Sequence, residues 1–555
     1  MVSPFASPAS GNLSFYSFGG TAGLSWYPLS RLFTGAGFGA GLYVPQDEEG
    51  KGKSAFWWRG GIEAGFRFTP SFTLTASVGW RQYHGGGGVY NSGVSAGLGA
   101  RIGFSPGGER GGAGVSALFT QDEGVYPAFL SLYQENPSGT LVIRNHENAE
   151  IRDVRLSFRA GEYTASEFPC GEVSLIAKGR SAEIPLYADF SPEVLRFTDR
   201  GRILGEAVIR YRFLGQERQS VQTVSLQVYN RNVFPAADAS GLAVFVSPAS
   251  PEILEYAKHI TGLARSARRT GLNQNMQFAV WLFEGLRAAG IRLDDTHTGE
   301  GEVQFPAETL GFRTGNRRDI GLLYAAALEA SGIPCAVIPL DGDFVTACYL
   351  GVNQAGAGLL FNGLDRVLVI DGEVWMPFSM NAFNEGFMAA WDSGAEALNE
   401  VFAAGGGAGF IMLENAWGSY PPAPLPAQGR NAVQAGSGDL AKTAGHVIQQ
   451  YIDREIQPQV QNVQRQITAA PTAALYNRLG ILLIRSGCTT DAKTAYEQAA
   501  GMGSAAAMTN RGNLALIEKE YAAAEQWFKE ALAKGPGNAA AQRGLEKALT
   551  DGEIR

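Results

Sequence analysis

Between Phe15 and Phe104 the sequence alternates apolar residues with small or polar ones, a pattern that gathers onto one face of a strand and scatters around a helix. In one run Leu32, Thr34, Ala36, Phe38, Ala40, Leu42 and Val44 share a face, with Gly35, Gly37, Gly39 and Gly41 on the other. In the next, Trp58, Ile62, Ala64, Phe66 and Phe68 oppose Arg59, Glu63 and Arg67. Phe72, Leu74, Ala76, Val78 and Trp80 then oppose Thr73, Thr75, Ser77 and Arg81, and Val94, Ala96, Leu98, Ala100, Ile102 and Phe104 oppose Ser95, Gly97, Gly99 and Arg101. Each predicted strand is longer than a typical soluble one. Each has one face fit for lipid and one fit for water.

Short connections at Pro28–Ser30 and Pro70 alternate with longer polar ones at Gln46–Lys53 and His84–Gly88. The stretch resembles part of a small outer-membrane β-barrel, whose short turns face the periplasm and long loops face outside. The resemblance implies that residues 1–105 are a partial barrel of about five strands in contact with outer-membrane lipid, and that the chain after Ser105 is periplasmic. Bacterial barrels have even strand numbers, so about three more strands and a signal peptide are expected before Met1. The opening MVSPFASPASG has no basic n-region and no apolar h-region. The alternative is a Gly-rich soluble sheet, which would leave a wide apolar face in water. No run of about 18 apolar residues predicts a transmembrane helix.

A second constraining stretch is Phe305–Ser379. Ile320, Leu323, Tyr324, Ala327 and Leu328 recur at helical spacing, predicting a helix over Asp319–Ser331 capped by Asn316 and ended by Gly332. The β-rich runs Cys335–Leu340 and Phe344–Leu350 follow, joined at Asp341-Gly342, a hairpin signal. A two-residue turn there sets Cys335 opposite Cys348 at a non-hydrogen-bonded position, where Cα atoms approach most closely. In an oxidising compartment the pair could form a disulfide; otherwise the two are small buried hydrophobes.

The phrase QFPAETL at Gln304–Leu310, the helix opened by Gly315-Asn-Arg-Arg-Asp319, the hairpin and the later GEVWMPFSMN resemble the transglutaminase-like family, with its papain-type Cys-His-Asp arrangement. In that family a Cys at the helix start is held as thiolate by the helix dipole and an imidazolium, and a third polar group orients the His. Here the Cys position is Arg317, the His position is Asp343, and the third position falls at Ser379. Arginine stays protonated and is no nucleophile. The resemblance therefore implies a transglutaminase-like α+β domain without its chemistry, a pseudoenzyme with no cofactor. The alternative is a shifted alignment with Cys335 or Cys348 as nucleophile, although neither opens a helix. The five His (His84, His146, His259, His297 and His446) all lie outside the stretch where the base should be.

The expected architecture is multidomain. After the partial barrel come a Gly-rich linker at 106–120, an immunoglobulin-like β-sandwich at 121–235, the degenerate transglutaminase-like domain at 236–416 and a Pro/Gly linker at 417–438. The sandwich rests on the runs Thr140–Asn145, Ile151–Phe158, Glu172–Ala177, Ala182–Tyr187, Gly205–Phe213 and Ser220–Tyr229, and contains the lone Cys170. In the all-α tail, 439–555, a helical stretch interrupted at Pro458 leads into a repeat. Gly480, Ala492, Tyr496 and Ala499 recur 32 positions on as Gly512, Ala524, Phe528 and Ala531. This resembles the tetratricopeptide repeat, which binds peptides or proteins on a concave face. The resemblance points Asn477, Arg485, Thr509 and Asn513 into that groove; a purely structural superhelix is the alternative.

The formal charge of -8 leaves no basic footprint for nucleic acid. The expected function is a non-catalytic outer-membrane scaffold that holds a periplasmic protein or peptide through its repeats. The alternatives are a thiol acyltransferase or peptidase with a relocated nucleophile, or a cell-wall peptide bound as a carboxylate by Arg317 and Arg318 in the empty cleft.

Overall fold

The computed structural model describes residues 14–29, 32–46, 55–69, 72–85, 92–102, 114–235, 238–294, 301–426 and 437–553. The chain divides into two compact units, Met1–Gly112 and Ala113–Arg555.

In the first unit, β1 (Ser14–Leu29), β2 (Leu32–Gln46), β3 (Ala55–Thr69), β4 (Phe72–Gly85) and β5 (Gly93–Ile102) form one antiparallel sheet in chain order. Its register aligns the faces read from the alternation: Ala36 pairs with Ile62, Ile62 with Val78, and Val78 with Ala96. Phe38, Leu42, Phe56, Ile62, Phe66, Leu74, Val78, Trp80, Val94 and Leu98 therefore share one face, and all are exposed. The sheet is open: among the described residues β1 and β5 are its edges, so the expected barrel is not closed. Most of the predicted loops, at 47–54 and 86–91, and the turn positions 30–31 and 70–71 lie outside the described residues.

The second unit begins with a sandwich. Strands β6 (Val115–Thr120), β7 (Gly139–Asn145), β8 (Ile151–Arg159), β9 (Phe168–Ile176), β10 (Ser181–Leu186), β11 (Gly201–Phe213) and β12 (Gln216–Val228) form sheets ordered β10-β7-β6 and β12-β11-β8-β9. Leu141, Ile143 and Ile184 of one sheet and Leu156, Phe158, Ile209 and Leu226 of the other close a single core. The linker expected at 106–120 is corrected in part. Val115–Thr120 is a strand paired along β7 from Val115–Asn145 to Thr120–Thr140, and Val115 is buried. Gly-rich neighbours had hidden its short alternation.

Helices α1 (Pro251–Ser266) and α2 (Gln274–Ala288) follow, then β13 (Arg292–Leu293), α3 (Pro306–Phe312), β14 (Thr314–Gly315) and α4 (Arg317–Ala330). The hairpin β15 (Cys335–Leu340) and β16 (Asp343–Asn353), α5 (Gln354–Ala357), β17 (Leu368–Ile370), β18 (Glu373–Phe378), α6 (Phe387–Ala403), β19 (Ile411–Met412) and α7 (Leu413–Ala416) complete this layer. Its sheet runs β17-β18-β16-β15-β19, all antiparallel. Gly394 lets α6 cross β18 closely: a Cβ there would lie 2.8 Å from the Phe378 amide nitrogen.

The linker expected at 417–438 is also corrected at its start. Trp417 donates through Nε1 to the Ala243 carbonyl, the Ala423 amide donates to the Val244 carbonyl, and Tyr420 donates to Asp238. Residues 417–426 are thus fastened to the body, while 427–436 lie outside the described residues. The tail is α8 (Ser437–Tyr451), a π turn at Ile452–Ile456, α9 (Gln457–Ala469), α10 (Ala473–Ser486), α11 (Thr489–Gly501), α12 (Ala505–Ile517), α13 (Tyr521–Lys534) and α14 (Ala539–Glu553). Pro458 does not break the helix. Proline has no N–H to give its i−4 carbonyl and its ring crowds that group, and the π turn, with the Gln457 amide on the Ile452 carbonyl, absorbs the misfit. One core runs from Phe129 through α2, α4 and β16 to Ala507, so the first repeat is built onto the α/β body; the last helices have a separate core around Phe528.

Candidate functional site

The N-terminus of α4 is fixed by a reciprocal cap. Asn316 Oδ1 accepts the Asp319 amide at 2.9 Å, and Asp319 Oδ2 accepts the Asn316 amide at 3.0 Å. Asp319 Oδ1 also accepts the Gln304 amide at 2.8 Å, tying the QFPAETL phrase to the helix. Burial pushes the Asp319 carboxyl up to about 6 against these backbone donors, which favour its charged form. Glu308 of the same phrase is a joint to the sandwich: it pairs with Arg231, and its Oε2 accepts from Asn232 Nδ2 at 2.7 Å and from the Phe305 amide at 2.9 Å.

Gly321 lets α4 close on β16. A Cβ at Gly321 would sit 2.8 Å from the Phe344 ring, and Thr346 Oγ1 donates to the Gly321 carbonyl at 3.3 Å. One turn back along the helix, Arg317 reaches the start of β16. Its Nη1 lies 3.3 Å from Asp343 Oδ2 and donates to Asn381 Oδ1 at 3.0 Å. Arg318 donates to the Gly342 carbonyl at 2.7 Å. Ser379 is buried; its Oγ accepts the Asn381 amide at 3.4 Å and its own amide donates to the Ala390 carbonyl at 3.0 Å. The fold thus brings Arg317 to Asp343, and Ser379 reaches them through Asn381. Asn381, two residues after Ser379, is a member that sequence reasoning missed.

The cluster sets a guanidinium against a carboxylate and holds no thiol or imidazole. Cys335 and Cys348 are paired across the hairpin as the two-residue turn requires, with the Tyr349 amide donating to the Pro334 carbonyl beside them. Both are free thiols, so the disulfide raised from sequence is not formed here. Both are buried, and burial pushes Cys348 up to about 12 and Cys335 well above its usual range. Protonated thiols in an apolar interior are poor nucleophiles.

The repeat positions fare differently from the groove expected of them. A Cβ on Gly480 would meet the Tyr496 ring at 2.4 Å, and one on Gly512 the Phe528 ring at 2.8 Å, so both repeats close through the same glycine–aromatic contact. Asn477 is half-buried and accepts from Asn510 Nδ2 at 2.9 Å, while Asn513 is exposed. Thr509 is corrected: it is buried, donating to the Ala505 carbonyl and accepting from Asn538 Nδ2, both at 2.8 Å. Arg485 is corrected too. It donates to the Leu359 carbonyl of the α/β body, and burial lowers its pKa. The repeat pattern sets helix faces for an array standing alone, and here α10 is covered by the body.

Alongside Arg485, Arg454 holds the tail in place. Its Nη1 donates to both carboxylate oxygens of Asp392 at 2.8 Å, and its guanidinium lies 4.2 Å over the Trp391 ring. No helix among the described residues is long and apolar enough to cross a membrane. No curated protein matches the chain. Residues 477–539, from α10 to the start of α14, match the family model of the tetratricopeptide repeat, a match that suggests a protein-interaction role for this stretch.

Proposed function

We propose that the protein is a non-catalytic scaffold of the bacterial envelope: the first sheet lies against outer-membrane lipid, and the second unit holds a protein partner in the periplasm through its tetratricopeptide helices. The Arg317–Asp343 pair carries the non-catalytic half of this reading. In a transglutaminase-like cleft those two positions supply nucleophile and base, and here they neutralise each other. The pair also supplies Arg317 with a carboxylate from its own chain, which argues against a cell-wall carboxylate as the ligand of the cleft. Buried, protonated thiols argue against a relocated nucleophile. Support for the membrane half is the row of exposed apolar side chains across successive strands, an area that a sheet in water would cover.

The test is a glutamine acyl-transfer and peptidase assay on the full chain, beside a Cys335→Ala/Cys348→Ala variant. No activity in either is expected. Thiol-dependent turnover that the double substitution abolishes would remove the pseudoenzyme reading, and turnover that survives it would show catalysis elsewhere.

A further inference from the structure

The two sheets of the sandwich end in the edge strands β12 and β9, and β10 and β6. An unpaired edge is a template for another chain, and folds blunt it with shortness, proline, bulges or lysine. Three of these edges are blunted in that way. β6 and β10 have six residues each, and β10 carries Pro185. β9 carries Pro169 and a register shift against Leu156 and Ser157 of β8. β12 is different. It runs for 13 residues, QERQSVQTVSLQV, without proline, glycine or lysine, and its register along β11 has no shift. Its two charges, Glu217 and Arg218, sit together beside the turn.

The turn into β12 is Leu214-Gly215, both residues at positive φ, and Phe213 pairs with Gln216 across it. The pair flanking a two-residue turn is hydrogen-bonded, and bonded pairs alternate along the ladder. Gln216, Arg218, Ser220, Gln222 and Val224 therefore direct their backbone groups at β11. Glu217, Gln219, Val221, Thr223 and Ser225 turn theirs outward, where no other described segment pairs with them. Gln227 checks the phase. Its amide donates to Gln121 Oε1 at 2.8 Å, and its carbonyl accepts from the Val125 amide at 2.8 Å and from Gln121 Nε2 at 3.2 Å. The Gln121 side-chain amide thus takes the part of a peptide group from a neighbouring strand. Residues 121–125 cover the edge at Gln227 and the turn ends it at Gln216. The midpoint of the open stretch between Glu217 and Ser225 is Val221, which is 44% exposed.

We infer that β12 pairs with β12 of a second copy of this chain, antiparallel about a two-fold axis through Val221. Outward groups must meet outward groups, so Val221 faces Val221 of the second copy, Gln219 faces its Thr223 and Glu217 its Ser225. Each such pair exchanges two N–H···O bonds, and the surface is its own complement, as a two-fold interface requires. This register uses the whole open stretch. A shift in one direction loses pairs beyond the turn, and a shift in the other runs into residues 121–125. No like charges meet in it. Glu217 is already paired with Arg155 at 3.1 Å and Arg218 with Glu147 at 2.6 Å, and the strand is uncharged from Gln219 onward. The exposed valines meet at the axis, and two four-stranded sheets become one. The proposal stands on the sandwich alone and goes beyond the membrane and repeat readings above.

The experiment measures the mass of the full-length chain by sedimentation equilibrium in density-matched detergent at micromolar concentration. Two chains per particle are expected for wild type. One is expected for Val221→Lys, which sets two ammonium groups against each other on the axis. Val221→Pro removes an outward N–H and keeps every bond to β11, so it is expected to be a monomer as well. The second readout is a cross-link. Facing residues of a bonded pair have Cα atoms about 5.5 Å apart, within disulfide range. Val221→Cys is therefore expected to give a covalent dimer under mild oxidation, and Leu204→Cys, 69% exposed but one strand further in, to give none beyond wild type. A monomeric wild type would overturn the proposal, including one that holds a foreign strand at this edge. A dimer that survives Val221→Lys would place the contact elsewhere. Where Val221→Lys or Val221→Pro lowers the melting temperature, the cross-link decides, and its absence in Val221→Cys ends the proposal.

Discussion

Arg317 on the first turn of α4 and Asp343 at the start of β16 form an ion pair with Nη1 3.3 Å from Oδ2. A papain-type centre is itself an ion pair, of thiolate and imidazolium, at a helix N-terminus. Here the polarity is reversed, the cation on the helix and the anion on the strand. A cation at a helix N-terminus is mildly unfavourable, and Asp343 and Asn381 offset that cost. The start of α4 is held by the Asn316–Asp319 cap and by the Gly321 approach to β16, neither of which needs a reactive residue.

If the thiols are structural, alkylation will say so. Native full-length protein treated with iodoacetamide should react first at Cys488, the one half-exposed cysteine among four, with Cys170, Cys335 and Cys348 protected until denaturant is added. Peptide mass mapping gives the order. Rapid native labelling of Cys335 or Cys348 would contradict their burial.

Membrane attachment should depend on the apolar face of the first sheet. Ile62 is 67% exposed at the middle of β3 and faces Val78 on β4. Ile62→Lys should shift the protein from the membrane to the soluble fraction, since a lysine near the bilayer midplane costs about 2–4 kcal/mol. Glu63→Lys, on the opposite face, should leave the distribution unchanged. Equal fractionation of both variants with wild type would count against lipid contact.

Glu329 sets a pH dependence of definite sign. Its Oε1 accepts the Cys335 amide at 2.6 Å, and burial first, with the nearby Glu414 charge, pushes it up from 4.5 to about 7. The folded state binds its proton more tightly than the unfolded chain does. The resulting stability is full below about pH 4 and is lost as pH rises through about 7. Glu329→Gln keeps the acceptor and removes the titration. It should match wild type near pH 4 and exceed it by about 1–3 kcal/mol at pH 8 in urea unfolding. Asp319 contributes the same sign over a lower range in both proteins, because burial raises it too.

Phe528 is the keystone of the distal repeat. Its ring lies under both Gly512 and Gly544, where a Cβ would approach to 2.8 and 2.4 Å. Phe528→Ala should cost about 3–5 kcal/mol. The loss should appear as early exchange of α12–α14 amides in hydrogen–deuterium exchange, with α2 and α4 unaffected because they belong to a different core.

Much of this architecture was legible in the residues. Alternation gave the sheet and its faces, Asp341-Gly342 gave the Cys335–Cys348 register, and a spacing of 32 gave the repeat, in which the structure sets Gly480 on Tyr496 and Gly512 on Phe528. Asn381, which joins Ser379 to Arg317, carried no signal in the residues. Arg485 and Thr509 were misread. Repeat position fixes the direction a side chain leaves its helix, and it carries no information on what covers that helix.

The sequence by itself determined the periodic and local features: strand faces, the capped start of α4, the hairpin, and the glycine–aromatic spacing of the tail. These are properties of neighbours along the chain, where a period of two or of 3.6 and the chemistry of a cap or a turn decide the outcome. Only the tertiary structure decided that Arg317 meets Asp343 and that Arg485 is buried on Leu359. Each of these depends on how distant segments pack, because burial and pairing are set by whatever the fold brings alongside, and a local pattern leaves that open.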